Sequence, residues 1–203
     1  MKVLVGCEYS GRVRRAFRDQ GHDAWSCDII DSSDGSKYHL KEDVRTVIHW
    51  RDWDLAIFFP PCTYLSRAGA RWMYAGGQLN PDRYGKLLEA RDFFLSLYDS
   101  DIPHIAIENP TPFKIAELPD PTQVIQPHQF GDPYTKRTLL WLKNLEPLRP
   151  TNQVDPVGSW LPSNTSGFRK GQKHQRGRSP SGDYALTFQG IAEATALQWG
   201  QKP

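Results

Sequence analysis

Cys62 is the residue of this sequence with the clearest potential for covalent chemistry. It stands directly after Pro60 and Pro61, which follow the apolar run at residues 54–59. A deprotonated thiol is a strong nucleophile, and the restricted backbone of two prolines would hold it just beyond the end of a strand. We therefore interpret Cys62 as a candidate nucleophile. The alternative is a small buried hydrophobic residue, which is the common role of an unpaired cysteine.

Glu108 is the second candidate for chemistry. It follows the apolar run at residues 102–107 and precedes Asn109 and Pro110. A carboxyl group at the end of a buried strand is partly removed from water, which raises its pKa and suits it to donate a proton near neutral pH. The alternative is a surface carboxylate in a turn. Asn109 is expected to hold that turn through hydrogen bonds to the backbone.

The elements that must position these residues alternate along the chain. The apolar and helical patterns predict strands at residues 2–5, 23–30, 54–59, 102–107 and 138–142, and helices at residues 13–21, 44–50, 86–98 and within 186–199, with loops at 32–38 and 64–85. This alternation favours an α/β fold with a doubly wound, mostly parallel sheet. Ligands of such sheets bind beyond the carboxyl ends of the strands, so we expect the loop at residues 6–11, Cys62 and Glu108 to converge on one cleft.

Composition narrows the function classes. The chain has 203 residues with 25 Lys and Arg against 23 Asp and Glu, a net charge of +2, which argues against a uniformly basic coat. No apolar stretch reaches the roughly 18 residues of a membrane span, and no signal peptide is expected. Three cysteines without a C-x-x-C pair argue against a disulfide framework or a zinc site. They favour a protein of the reducing cytoplasm, with Cys7 and Cys27 structural and no bound metal.

The sequence changes character after residue 149. Residues 150–183 are rich in Pro, Gly and Ser, contain no acidic residue between Asp155 and Asp183, and hold five Lys or Arg within 168–178. We therefore divide the chain into a core at 1–149, a short basic segment at 150–183 and a C-terminal helix at 184–203 that completes the core.

The order of the motifs resembles the DNA cytosine-C5 methyltransferases. A loop with Gly6 and Gly11 comes first, Phe-Pro-Pro-Cys at 59–62 second, Glu-Asn-Pro at 108–110 third, and Lys136-Arg137 last. The resemblance covers most of residues 1–145 and a weaker patch near 184–199. It implies a Rossmann-like adenosylmethionine-dependent methyltransferase fold, in a small version of the kind frequent in phage genomes.

The resemblance also implies catalytic roles. Cys62 would attack C6 of cytosine so that C5 can take the methyl group, Glu108 would bind N3 and the exocyclic amine and donate a proton, and Arg137 would help to hold the base. The cofactor would be S-adenosylmethionine, with Asp28 on the ribose and Asp43 near the adenine amine, although both acids could instead be helix caps or solvated. The implied cofactor-binding residues are Gly6, Glu8, Tyr9, Ser10, Gly11, Asp28, Ile29, Asp43, Val44 and Pro60.

The expected substrate is cytosine in DNA, either single-stranded or at a short site. The region that reads the target in full-size family members has roughly a hundred residues, and here about thirty remain. The implied substrate-binding residues are Pro61, Ser66, Arg67, Asn109, Lys136, Arg169, Lys170, Lys173 and Arg176. The loop after Cys62 could contact phosphate or be merely a disordered polar loop. Two alternatives stay open, namely the same chemistry on a free pyrimidine nucleotide or RNA, and a non-catalytic nucleic-acid-binding relative.

Overall fold

A seven-stranded sheet forms the centre of the protein. A computed structural model describes residues 1–160 and 186–201. The strands of the sheet are β1 (Lys2–Gly6), β2 (Asp23–Asp28), β3 (His39–Lys41), β4 (Leu55–Phe58), β5 (His104–Asn109), β6 (Gln123–Ile125) and β7 (Thr138–Lys143). Their order is 3-2-1-4-5-7-6. Strand β7 runs antiparallel to both of its neighbours, and the pairs among β1 to β5 are parallel.

The central strands are apolar on both faces because helices cover both sides of the sheet. Every residue of β4 is buried, which is typical of a parallel strand in the middle of an α/β fold. The helices are α1 (Arg12–Asp19), α2 (Val44–Val47), α3 (Pro81–Tyr98) and α4 (Gln189–Trp199).

The core has one apolar cluster on each side of the sheet. On one side, Phe17 of α1 and Ile191 of α4 pack with Val5 of β1. On the other side, α3 packs against the sheet, and Phe94 meets Trp141 of β7 edge to face at 5.1 Å between ring centroids. The predicted Rossmann-like α/β fold, doubly wound and mostly parallel, is confirmed.

The structure adds elements that the apolar pattern missed. Strands β3 and β6 are three residues long and contain polar side chains, so neither forms an apolar run. Helix α3 begins at Pro81, five residues before the predicted start, because Asn80 caps it by accepting a hydrogen bond from the Arg83 N–H at 3.1 Å. A proline in the first turn is compatible with a helix.

Other predicted bounds also change. Strand β2 ends at Asp28 rather than at residue 30, and α2 ends at Val47 rather than at residue 50. The predicted loop after Cys62 contains a 3-10 helix (Arg67–Trp72) and a short hairpin of Tyr74–Ala75 with Gln78–Leu79. Two further 3-10 turns, Lys114–Ala116 and Pro127–Gln129, and a pairing of Tyr134–Thr135 with Gly158–Ser159 complete the structure.

Across residues 1–160 and 186–201, no helix combines the length and the apolar character needed to cross a membrane.

Candidate functional site

The carboxyl ends of β1, β4 and β5 meet at one edge of the sheet. Gly6 pairs with Phe58, and Phe58 pairs with Ile107, so β1 and β4 end at the same level and β5 continues beyond it to Asn109. Glu108 follows Ile107 directly, and Cys62 lies four residues beyond Phe58. The adjacency of β4 and β5 therefore brings both candidate catalytic residues to this edge.

Asn109 fastens the loop that carries Cys62 to strand β5. Its side chain is fully buried, and its Nδ2 donates a hydrogen bond to the carbonyl oxygen of Pro60 at 3.4 Å. Among the described residues its Oδ1 has no hydrogen-bond partner, an arrangement that carries an energetic cost in a buried group. On the other side of the cysteine, the Ser66 N–H donates to the carbonyl oxygen of Cys62 at 2.8 Å. Cys62 thus sits in a short turn held at both ends.

Cys62 and Glu108 influence each other's protonation. Burial raises the pKa of the Cys62 thiol, the charge of Glu108 raises it further, and the charge of Lys136 lowers it. Burial likewise raises the pKa of Glu108, while Lys136 lowers it. The three side chains form one charge-coupled group, which we call the Cys62 cluster. Because a thiolate and a carboxylate repel each other, ionising both costs more than ionising either one.

Lys136 lies between Glu108 and the C-terminal helix. Its backbone N–H donates to Oε1 of Gln126 at 2.9 Å, and its Nζ lies 5.8 Å from the ring centroid of Phe188. Glu108, Lys136, Thr138 and Phe188 share the wall of a small cavity between the sheet and α4. Arg137, the third predicted catalytic residue, has an exposed side chain, and its predicted role remains untested.

The loop between β1 and α1 has the sharp turns expected of a close-fitting binding loop. Cys7 adopts a left-handed backbone conformation with φ of 58°, and Gly11 does so with φ of 66°. A Cβ atom on Gly6 would lie 2.6 Å from the Phe58 ring and from Val44, so the end of β1 has space only for glycine. Burial raises the pKa of the Cys7 thiol, which the Asp28 carboxylate reinforces.

Glu8 is buried inside this loop and caps α1. Its Oε1 accepts hydrogen bonds from the Val13 N–H at 2.8 Å and the Ser10 hydroxyl at 3.1 Å, and its Oε2 accepts from the Arg14 N–H at 3.4 Å. Burial raises the pKa of Glu8 to about 7, against the opposing effect of these hydrogen bonds. In this structure Glu8 therefore shapes the loop from within, as does the buried Ser10.

Arg14 is a buried cation that the sequence analysis missed. Its side chain is fully buried, pairs with Asp34 and donates from Nη1 to the Ser26 hydroxyl at 2.9 Å. The Ser26 hydroxyl in turn bonds His39 Nδ1 at 2.8 Å. The only sequence signal is position, because Arg14 lies beside Val13 on the apolar face of α1. The network ties α1 to β2 and β3.

The loops after β1 and β2 form one continuous rim. The Glu8 N–H donates to the carbonyl oxygen of Cys27 at 3.1 Å, and the Ser33 N–H donates to that of Tyr9 at 2.9 Å. Asp28 ends β2 and is partly exposed. The next residue, Ile29, exposes 74% of its surface. A carboxylate and an exposed apolar side chain therefore stand together at this rim.

Asp43 and Val44 have structural roles at the start of α2. Asp43 caps α2 by accepting from the Arg45 N–H at 2.9 Å and pairs with the Arg45 side chain, which lowers the pKa of Asp43. Val44 is buried beside Gly6. The helix-cap role left open for Asp43 is thus present in the structure.

The remaining predicted residues have varied surroundings. Pro60 is buried, whereas Pro61 is exposed. Ser66 forms a bridge with Pro112, and the backbone N–H of Arg67, whose side chain is exposed, donates to the Thr111 carbonyl at 2.9 Å. The predicted substrate contacts Arg169, Lys170, Lys173 and Arg176 lie outside the described residues. Within the described ranges, no group of three or more His, Cys, Asp or Glu side chains could hold a metal ion.

Comparisons with known proteins find structural likenesses. No family model matches the chain, and no curated protein matches it. A crystal structure of a proposed DNA modification methyltransferase encoded within an E. coli prophage is similar with a TM-score of 0.47 and 15% sequence identity. The likeness covers 76% of this chain, which spans about half of that protein, 52% of its length. A likeness at this level supports no conclusion about function, so the site itself must carry the proposal.

Proposed function

We propose that this protein transfers a methyl group from S-adenosylmethionine to C5 of cytosine in DNA, with Cys62 as the covalent nucleophile. The observation that carries the proposal is the Cys62 cluster, in which a cysteine in the turn after β4 and a glutamate near the end of the neighbouring strand β5 are both influenced by the charge of Lys136. Its support from the sequence is the resemblance of the Pro-Pro-Cys and Glu-Asn motifs to those of cytosine-C5 methyltransferases.

The cluster provides the two groups that this chemistry needs. The Cys62 thiolate adds to C6 of cytosine, and a protonated Glu108 donates a hydrogen bond to N3 as electron density moves into the ring. The pKa of Glu108 is raised by burial, which favours the protonated form that can donate. Protonation of Glu108 removes the negative charge that opposes ionisation of Cys62. The protonated form of Glu108, which can donate to N3, is therefore also the form that favours the Cys62 thiolate.

Lys136 of the cluster and the neighbouring Asn109 support these two residues. Lys136 stabilises whichever of Cys62 and Glu108 is ionised. Asn109 holds the loop of Cys62 against β5 through Pro60. After C5 has taken the methyl group, its proton passes to water, the C5–H electron pair re-forms the C5–C6 double bond, and the C6–Sγ bond breaks to release the Cys62 thiolate and the free enzyme.

The rim formed by the loops after β1 and β2 fits the cofactor that we propose. Asp28 offers a carboxylate to ribose hydroxyls, as acids at the end of the second strand do in Rossmann-like folds, and Ile29 offers an exposed apolar surface to the adenine ring. Tyr9, Ser10 and Gly11 would line the amino-acid end. When bound, S-adenosylmethionine supplies the electrophilic methyl group.

A trapping experiment tests the proposal. The protein is incubated with S-adenosylmethionine and DNA containing 5-fluorocytosine, which lacks the C5 proton whose loss releases the enzyme. We expect a covalent protein–DNA adduct that maps to Cys62 by mass spectrometry. Cys62→Ser should abolish the adduct, whereas Cys27→Ala should retain it, because Cys27 is buried and its thiol donates to the Glu42 carbonyl away from the cluster.

Two results would overturn the proposal. An adduct that persists in Cys62→Ser would show that Cys62 is not the nucleophile. Transfer of a radioactive methyl group to a free pyrimidine nucleotide or to RNA, with none to DNA, would reject DNA as the substrate while leaving the chemistry intact.

A further inference from the structure

Three large apolar side chains project from the segment that follows Cys62. Trp72 exposes 57% of its surface, Tyr74 47% and Leu79 40%. We call these three residues the hairpin surface, because they lie on or next to the hairpin of Tyr74–Ala75 and Gln78–Leu79. Exposed apolar side chains grouped in this way mark a binding surface more often than scattered ones do.

The segment after Cys62 is attached to the core through other side chains and through backbone hydrogen bonds, so the three apolar side chains are not exposed because the segment is unpacked. Leu65 and Met73 are buried in the core beside α3. The Asn80 N–H donates to the Met73 carbonyl at 2.8 Å, and the Phe113 N–H donates to the Leu65 carbonyl at 2.7 Å. Met73 points inward while its two neighbours point outward, and the fold therefore holds the hairpin surface toward solvent.

The charge around the hairpin surface favours a polyanion. Residues 63–86 contain four Arg or Lys and a single acid, Asp82. Two of these cations lie over the ring of Tyr64, with the Arg83 guanidinium carbon at 5.1 Å and Lys86 Nζ at 5.5 Å from its centroid. Aromatic rings interleaved with cations are the composition of surfaces that track a nucleic-acid strand.

The hairpin surface is connected to Cys62 over a short distance along the chain. The Ser66 N–H donates to the Cys62 carbonyl at 2.8 Å, and the Gly69 N–H donates to the Ser66 carbonyl at 2.9 Å. The 3-10 helix of Arg67–Trp72 therefore starts within a turn of Cys62 and ends at Trp72. A DNA strand bound to the hairpin surface would therefore contact the same chain segment that carries Cys62.

We propose that the hairpin surface binds single-stranded DNA by stacking unpaired bases on Trp72 and Tyr74. Stacking needs an accessible base face, and a duplex offers only base edges in its grooves. The inference rests on the proposed function only for the choice of DNA and its orientation toward Cys62. Binding itself requires neither methyl transfer nor cofactor.

Fluorescence anisotropy of a labelled oligonucleotide tests the inference. The full chain is titrated into a single-stranded oligothymidine and into a duplex of equal length. We expect tighter binding of the single strand, and we expect Trp72→Ala and Tyr74→Ala each to weaken it about fivefold to a hundredfold, the range found for loss of one stacking platform. The matched control is Trp50→Ala, because Trp50 is 53% exposed but lies beyond α2, and it should bind as the wild type does.

Each other outcome overturns the inference. Unchanged affinity in both Trp72→Ala and Tyr74→Ala removes the stacking role, and an equal loss in Trp50→Ala shows a nonspecific effect. Tighter binding of the duplex shows that double-stranded DNA is the ligand. The proposed function fails separately, since a protein that binds the single strand through Trp72 but forms no adduct at Cys62 contradicts only the chemistry.

Discussion

Glu8 couples the stability of this protein to pH in a direction opposite to that of most carboxyl groups. Folding buries its side chain and raises its pKa from 4.5 to about 7. The folded state therefore holds the Glu8 proton more tightly than the unfolded state does. Glu8 makes its full contribution to the free energy of unfolding below pH 4.5, and this contribution is lost as the pH rises through about 7. The free energy of unfolding should thus fall across this window.

The size of the effect follows from the two pKa values. One pKa unit corresponds to about 1.4 kcal/mol, so a rise from 4.5 to about 7 gives a loss of roughly 3 kcal/mol between the two limits. Arg14 is the cation that opposes this loss, and the hydrogen bonds from Val13, Arg14 and Ser10 oppose it as well. Their effects are already contained in the shifted pKa.

Glu8→Gln isolates the effect, because glutamine keeps the shape of the side chain and carries no charge. Urea unfolding followed by tryptophan fluorescence gives the free energy of unfolding at a series of pH values. The difference between wild type and Glu8→Gln should change by roughly 3 kcal/mol from about pH 4.5 to pH 8. Glu89→Gln, at an exposed position of α3, is the control and should follow the wild-type profile. A difference between wild type and Glu8→Gln that stays constant with pH would refute the reasoning.

Two further predictions concern the Cys62 cluster and the packing of α4. Because the charge of Glu108 raises the pKa of Cys62, Glu108→Gln should speed alkylation of Cys62 by iodoacetamide at alkaline pH, where Glu108 is ionised, as measured by mass spectrometry of its peptide, and an equal or slower reaction would contradict the coupling. Gly190→Ala should lower the midpoint of thermal unfolding strongly, because its Cβ would lie 1.7 Å from the Phe130 carbonyl oxygen. Gly85→Ala, which has open space around its Cβ in the second turn of α3, should instead stabilise the protein by about 0.5–1 kcal/mol, and a reversed ranking of the two variants would contradict this packing.

Most of the sheet could be predicted from sequence because its strands are buried on both faces. Strands β1, β4 and β5 each contain a continuous apolar run, and such runs are the strongest signal of a parallel core. Strands β3 and β6 lie at the two edges of the sheet and pair on one side only, so their sequences can be polar. The antiparallel direction of β7 has no local signal, since direction depends on which strand it pairs with.

The sequence predicts those residues of the candidate site that lie near the end of an apolar strand. Cys62 comes after the buried strand β4 and Glu108 lies near the end of β5, and the pairing of these strands brings both residues to the same edge of the sheet. The contribution of Asn109 through the Pro60 carbonyl, and the network of Arg14, Ser26 and His39, depend on contacts between distant segments. The sequence marks these residues as polar but cannot indicate their partners.

The Cys62 cluster explains why a cysteine with a raised pKa is compatible with a nucleophilic role. Glu108 opposes ionisation of the thiol only while it carries its own charge, and burial favours its neutral form. Lys136 favours ionisation of both groups, so it supports one negative charge but cannot offset the repulsion between two. A proton on Glu108 consequently makes the Cys62 thiolate easier to form. In the proposed reaction N3 of cytosine receives its hydrogen bond from this same proton. Protonated Glu108 therefore serves both the hydrogen bond to N3 and the formation of the Cys62 thiolate.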